Sequence, residues 1–191
     1  MLRIRLHGRG GQGIRTAAQI LGSALFAEGF EVQDAPRYGA ERRGAPIVAY
    51  VRAARTPIDE RGTIANPDLV LLADASLFQV PTAGVLQGVG ARVALLIATT
   101  EEPAVWRARL ALAGPVFSFD PGADPAHAAT ALVGAAARML GVIRRESLGA
   151  ALGEELRGLD VHKQRASLMR ALEAYDTFSA HSGTVAEAAD A

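Results

Sequence analysis

The sequence predicts an α/β fold: a three-layer α/β/α sandwich with a mostly parallel but mixed sheet and a helical C-terminal third. Three observations carry this expectation. Strand-like and helix-like patterns alternate early in the 191-residue chain. Two continuous apolar runs, DLVLLAD and ARVALLIATT, suit strands buried on both faces. A loop beyond residue 34 leads into a strand with no helix between, which asks for at least one antiparallel pairing.

Each element has its own signal. Leu2, Ile4 and Leu6 alternate with Arg3, Arg5 and His7, the period of a strand. Ile14, Ala17, Ala18, Leu21 and Leu25 recur at helical spacing, so a helix spans about 12–28 and stops at Gly29. FEVQD (30–34) and IVAYVRA (47–53) read as further strands, followed by the runs at 68–74 and 91–100 and the short VFSF at 116–119. Asp124 before Pro125 is a helix-start signal, and Ala128, Leu132, Ala135, Ala136 and Met139 form the stripe behind it. A second late helix covers 146–157 and ends at Gly158. A third starts at Asp160 with Val161, Leu168, Leu172 and Tyr175 on one face. One domain is expected over 1–178, with a small, polar, flexible C-terminal tail over 179–191.

Composition narrows the function. Twenty basic and twenty acidic residues leave zero net charge, unlike a generic nucleic-acid binder. No apolar run approaches the roughly 20 residues that span a bilayer, and no signal core opens the chain, so a cytoplasmic protein is expected. Cysteine is absent, so this chain offers no disulfide, thiol nucleophile or Cys-ligated cluster. Arginine outnumbers lysine 19 to 1 beside 39 alanines, a bias that reads as GC-rich codon usage.

Two loops carry chemistry. Gly8, Gly10 and Gly13 satisfy G-x-G-x-x-G after a strand and before a helix, and Asp34 lies at the end of the second strand, as in a dinucleotide-binding fingerprint. Glycines admit a close backbone approach, and a helix N-terminus favours phosphate. Gly11 and Gln12 depart from the dinucleotide pattern, and the same glycines could simply allow a tight strand–helix turn. The second loop gathers Arg37, Tyr38, Glu41, Arg42 and Arg43 within seven residues, with Gly39 and Gly44 as hinges. Guanidinium forks suit phosphates, carboxylates and protein interfaces alike. In this fold the loop falls on the same carboxyl edge of the sheet as the glycine loop.

No catalytic constellation is visible. His7, His127, His162 and His181 are scattered and read as ordinary surface or helix histidines. Ser76 and Ser118 lack an evident base. Asp74 closes a central strand and reads as a helix cap or a loop hydrogen-bond acceptor.

Taken together, RIRLHGRGGQGIRTAAQIL, PRYGAERRGAPIVAYVR and NPDLVLLAD resemble the gamma subunit of the 2-oxoacid:ferredoxin oxidoreductases. The match runs through Gly8, Gly10, Gly11, Gln12 and Gly13, then Tyr38, Gly39, Glu41, Arg43 and Gly44, then Pro67 and Asp68. Ala45 stands where the family commonly has another glycine, and the resemblance is diffuse beyond residue 75. It implies a subunit of a heteromeric enzyme that oxidatively decarboxylates a 2-oxo acid to an acyl-CoA and passes electrons to ferredoxin or a similar acceptor. Thiamine diphosphate, magnesium and [4Fe–4S] clusters are then held by partners, namely thiamine-diphosphate-binding alpha and beta subunits and a ferredoxin-like iron–sulfur subunit. Coenzyme A is the co-substrate. This chain would hold no cofactor alone, bind neither nucleic acid nor membrane, and line coenzyme A access with Gly8, Gly10, Gly11, Gln12, Gly13, Arg37, Tyr38, Glu41, Arg42 and Arg43. Two other readings stand beside it: a free NAD- or FAD-binding domain, and a non-enzymatic α/β assembly module. Residues 1–61 carry a net +4 and the remainder −4, so the motif-bearing part is the basic one.

Overall fold

A computed structural model describes residues 1–36, 44–122 and 125–185. Its centre is a six-stranded sheet built from β1 (Leu2–Arg9), β2 (Glu31–Pro36), β3 (Pro46–Ala54), β4 (Leu69–Leu72), β5 (Ala94–Ala98) and β6 (Val116–Phe119). The order across the sheet is β2-β3-β1-β4-β5-β6. β1, β4, β5 and β6 run parallel, whereas β3 is antiparallel to both β1 and β2. The mixed sheet therefore arises as expected, from a direct β2–β3 return that carries no crossover helix.

The helices are α1 (Ile14–Ala27), α2 (Pro103–Arg109), α3 (Pro125–Leu140), α4 (Arg145–Glu155) and α5 (Val161–Thr177). One face of the sheet takes α1 and α3, with α4 and α5 packed against them. Leu2, Ile4 and Leu6 of β1 join Leu21, Leu25, Leu132 and Leu140 in this main core. Each strand is divided by its alternation: Leu69 and Leu71 face this core, while Val70 and Leu72 face a second one with Leu95, Ile97 and Trp106. That smaller core is closed by α2 and by two 3₁₀ turns, Ala75–Gln79 and Pro81–Ala83. The sequence reading passed over α2, which has only seven residues and opens on Pro103.

The 3₁₀ segment changes the fate of the polar side of β1. Alternation reads as one face in the core and one in water, yet Arg5 and His7 are only 2% and 1% exposed. Arg5 donates to the carbonyls of Ile64 (3.3 Å) and Val85 (2.9 Å), stapling the covering loops to β1 with no carboxylate partner among the described residues. Burial holds its guanidinium below its usual pKa. Arg52, also buried, donates to the Gly62 carbonyl at 3.0 Å and pairs with Glu60. His7 corrects the expectation of a surface histidine: it is a core residue beneath Ala83.

Two further expectations meet a different outcome. Val161 is 72% exposed, so the inward face of α5 is Ser167, Ala171 and Tyr175, flanked by half-buried Leu168 and Leu172. The chain also stays packed past residue 178, with a 3₁₀ turn at Phe178–His181 and a buried Val185, while 186–191 lie outside the described residues. Asp160 caps α5 as read, accepting from the amides of His162 (3.0 Å) and Lys163 (3.4 Å). Asp160→Ala is expected to lower stability by about 1 kcal/mol in urea unfolding, and Asp160→Asn by only a few tenths. Equal losses in the two variants would show that the cap does not carry the effect.

Candidate functional site

β1 ends in the turn Gly8–Gly13, which delivers the chain into α1. Here the glycines do separate jobs. A Cβ on Gly8 would sit 2.5 Å from the Ile14 side chain and 2.9 Å from Gln12 Oε1, so Gly8 is demanded by packing. Gly11 and Gly13 adopt positive φ of 95° and 74°, conformations that side chains disfavour. Gly11 is open, with no atom of the described residues within 4 Å of where a Cβ would stand. Gly13 is the N-cap of α1 and, having no side chain, provides no side-chain cap to the first turn, the end of a helix that favours anions.

Gln12 is used internally. Its Oε1 accepts from the Arg9 backbone amide at 2.7 Å, while the Gln12 backbone amide donates to the Arg9 carbonyl at 3.0 Å, closing the turn on itself. Gly10 reaches sideways. Its amide donates to the Ala45 carbonyl at 2.9 Å, and its carbonyl accepts from the Gly44 amide at 3.2 Å. The two motif loops are thereby joined backbone to backbone, because β3 lies beside β1 and begins on the carboxyl edge. Gly44 has φ of 85° at this junction. Arg37, Tyr38, Glu41, Arg42 and Arg43 lie outside the described residues.

A side-chain network missed by the sequence reading completes the edge. Arg9 donates through Nε to Asp74 (2.8 Å), through Nη1 to the Gly44 carbonyl (3.0 Å) and through Nη2 to Ser76 Oγ (2.7 Å). Asp74 follows β4, caps the first 3₁₀ turn as anticipated, and accepts from the Ser76 amide at 2.9 Å and hydroxyl at 2.6 Å. Burial tends to raise the Asp74 pKa, but the bonds from Ser76 and Arg9 outweigh it and hold the carboxyl below its ordinary value. No sequence period links Arg9, Gly44 and Asp74. The available signal was an arginine inside the glycine cluster and a D-x-S step after a buried strand.

The dinucleotide reading loses its acidic anchor. In that fingerprint the second strand lies beside the first, so its terminal acid reaches the ribose bound at the glycine turn. Here β3 is inserted between β1 and β2, displacing β2 by roughly two strand spacings, about 10 Å. Asp34 instead faces a groove of about 360 Å³ beside α1, with Gln19, Phe26 and Glu155.

Residues 3–174 match the family described as pyruvate ferredoxin/flavodoxin oxidoreductase. The chain belongs to this family. It is of the family's gamma-subunit type, similar over 177 residues at 36% identity to the pyruvate/ketoisovalerate oxidoreductases common subunit gamma of Thermococcus litoralis. That alignment covers 89% of this chain and 94% of the relative. Pyruvate synthase subunit PorC of Methanosarcina barkeri is 44% identical over 103 residues, so the match spans 54% of this chain and just over half, 56%, of that relative. The crystal structure of pyruvate oxidoreductase subunit PORC from Thermotoga maritima superposes with a TM-score of 0.74 at 26% identity. The superposition covers 92% of this chain and 95% of that structure, and so extends over most of the fold described above.

Proposed function

We propose that this chain is the gamma subunit of a thiamine-diphosphate- and iron–sulfur-dependent 2-oxoacid oxidoreductase. The complex decarboxylates a 2-oxo acid oxidatively, transfers the acyl group to coenzyme A and passes electrons to ferredoxin or a similar acceptor. Alpha, beta and ferredoxin-like partner subunits hold thiamine diphosphate, magnesium and the clusters, and supply the carbon and electron chemistry. The gamma chain is architectural and lines the path of coenzyme A. The names of its relatives as common gamma and PorC subunits support the assignment to such a complex.

One observation carries the local role: Gly10 bridges to Gly44 and Ala45, so the arginine loop ends beside an uncapped helix N-terminus. A flexible phosphate-bearing ligand fits that pairing. Backbone amides at Gly13 and the first turn of α1 meet one phosphate, and Arg37, Arg42 and Arg43 meet the others as bidentate forks. Gly11, which carries no side chain on the open side, permits the approach.

In the assembled complex, Arg42→Ala with Arg43→Ala should raise the KM for coenzyme A about 10- to 100-fold, the loss of one or two charge-assisted hydrogen bonds. The KM for the 2-oxo acid should stay within twofold. If the variant instead fails to co-purify with its partners while residual complex keeps a normal KM, the loop is a subunit interface and the coenzyme reading is wrong.

A further inference from the structure

β2 is an outer strand of the sheet: β3 lies on one side, and no strand of the described residues pairs with the other. Every second residue of such a strand turns its amide and carbonyl away from the sheet, a row of unpaired groups that invites another strand. Over 31–34 the strand carries neither lysine nor proline, and its register with β3 runs without a bulge. Val32 and Asp34 stand on the α1 side, against Gly22, whereas Gln33 turns to the opposite face and donates to the Ile58 carbonyl at 2.9 Å.

Along this edge runs the 360 Å³ groove that Asp34 faces. Phe26 forms part of its wall at the end of α1 and is 70% exposed, while Ile20, Leu21 and Leu25 of the same helix are fully buried. The charged residues lining the groove are Asp34 and Glu155, and the Ser23 hydroxyl fixes Glu155 at 2.6 Å. The groove thus joins three things: an open backbone edge, an uncovered aromatic ring, and negative charge with no lining cation among the described residues.

We propose that this face takes an extended segment of a partner subunit, carrying an apolar residue and a Lys or Arg two positions apart, added as a seventh strand beside β2. Residues two apart share a face, so both side chains fall on the α1 side. The partner's backbone pairs with the open edge, its apolar residue covers Phe26 and Val32, and its cation meets Asp34 and Glu155. A second copy of this chain fits badly, because its own β2 brings Glu31 and Asp34 to an edge that already holds both. The proposal rests on the reading that the chain works within a heteromeric complex, and it uses an edge of the sheet separate from the glycine turn.

The test is made on the complex purified with its native partners. Phe26→p-benzoylphenylalanine should crosslink on irradiation to a partner segment of the stated pattern. A crosslink to a second copy, to this chain itself or to an acidic segment overturns the proposal, as does the absence of any protein crosslink. Hydrogen exchange reads the mode of docking: amides within 31–34 should exchange at least tenfold more slowly in the complex than in the free chain. Equal rates would show that the sheet is not extended. Asp34→Arg should raise the dissociation constant for the partners about tenfold and leave the melting temperature of the free chain unchanged. Undiminished association would show that charge does not select the partner, and overturns the proposal too. If the chain purifies with no thiamine- or iron-binding subunit, the gamma-subunit reading falls. Crosslinking and exchange then decide the docking proposal on whatever partner the chain retains, and with none retained both readings fall.

Discussion

Gly134→Ala is expected to destabilise the protein by about 2 kcal/mol, although the same change in an exposed helix would stabilise it. Two effects compete. Alanine is favoured over glycine in a helix interior by roughly 1 kcal/mol. Against this, a Cβ at position 134 would lie 1.9 Å from the Ala171 carbonyl oxygen and 2.7 Å from its carbon. These are backbone atoms of α5, in a helix pair buried by Ala135, Met139, Ala171 and Tyr175, so no flexible tip can give way. Overpacking of this kind costs typically 1–3 kcal/mol, and contact with backbone puts it at or above the upper end. The clash wins. Urea unfolding of the parent and variant reads the sign directly. A variant as stable as the parent would mean that α3 and α5 can part without loss.

The second large effect is a loss of stability in mild acid, traced to His7. Burial is the main cause that lowers its pKa from 6.5 to about 4, the nearby Arg5 charge adds to it, and the Ala83 backbone opposes it weakly. Neither ring nitrogen makes a well-aligned hydrogen bond. Above pH 6.5 the imidazole is neutral in both folded and unfolded chains and contributes no slope. As pH falls from 6.5 toward 4, the unfolded chain takes up a proton that the folded chain refuses. Stability therefore drops through this window, by about 3 kcal/mol in all, and the His7 contribution levels off below pH 4. His7→Leu should flatten the curve between pH 4 and 6.5 by about that amount, while His127, His162 and His181 remain and cancel in the comparison. Parallel curves for parent and variant would mean that another group drives the acid transition.

The sheet and the glycine turn at its carboxyl edge were legible because they rest on local signals. The period of β1, the apolar runs of β4 and β5, and the glycines at φ-demanding positions each declare themselves within ten residues. What the sequence hid depends on contacts between distant segments. His7 and Arg5 look like the wet side of a strand because their cover, the 3₁₀ turns between Ala75 and Ala83, shows no hydrophobic period. Asp34 satisfied a spacing rule, yet the strand order that gives that rule its meaning was changed by β3. Arg9 occupies a variable position of the glycine motif, and nothing local names Asp74 as its partner.

The charge asymmetry also reads differently. Of the ten arginines in residues 1–61, five are tied to other segments of the chain: Arg3 to Glu60, Arg5 to carbonyls, Arg9 to Asp74, Arg52 to Glu60 and the Gly62 carbonyl, and Arg55 to the Glu28 carbonyl. The basic surplus is thus partly a framework for loops, and Arg37, Arg42 and Arg43 are the members assigned here to a ligand. Codon usage can supply an arginine-rich composition. At Arg5 and Arg9 the fork geometry is nevertheless used by two or more acceptors, which the compact ammonium of a lysine could not meet from the same spread of positions.

The position of β1 at the middle of the sheet has a consequence for how the chain is made. It precedes the other five strands in the chain, yet its neighbours are β3 and β4, so Ile4 must wait for Val51 on one side and Leu69 on the other. During translation α1 can cover Leu2, Ile4 and Leu6 early, but both hydrogen-bonding edges of β1 stay open until those later strands emerge. An eight-residue strand with two free edges is a template for pairing with other nascent chains. The β2–β3 hairpin, by contrast, closes locally and fast, and becomes the surface onto which the waiting strand docks. Yield of this subunit should therefore depend on translation speed and chaperone supply in the interval before residue 72, more than on the stability of the finished fold.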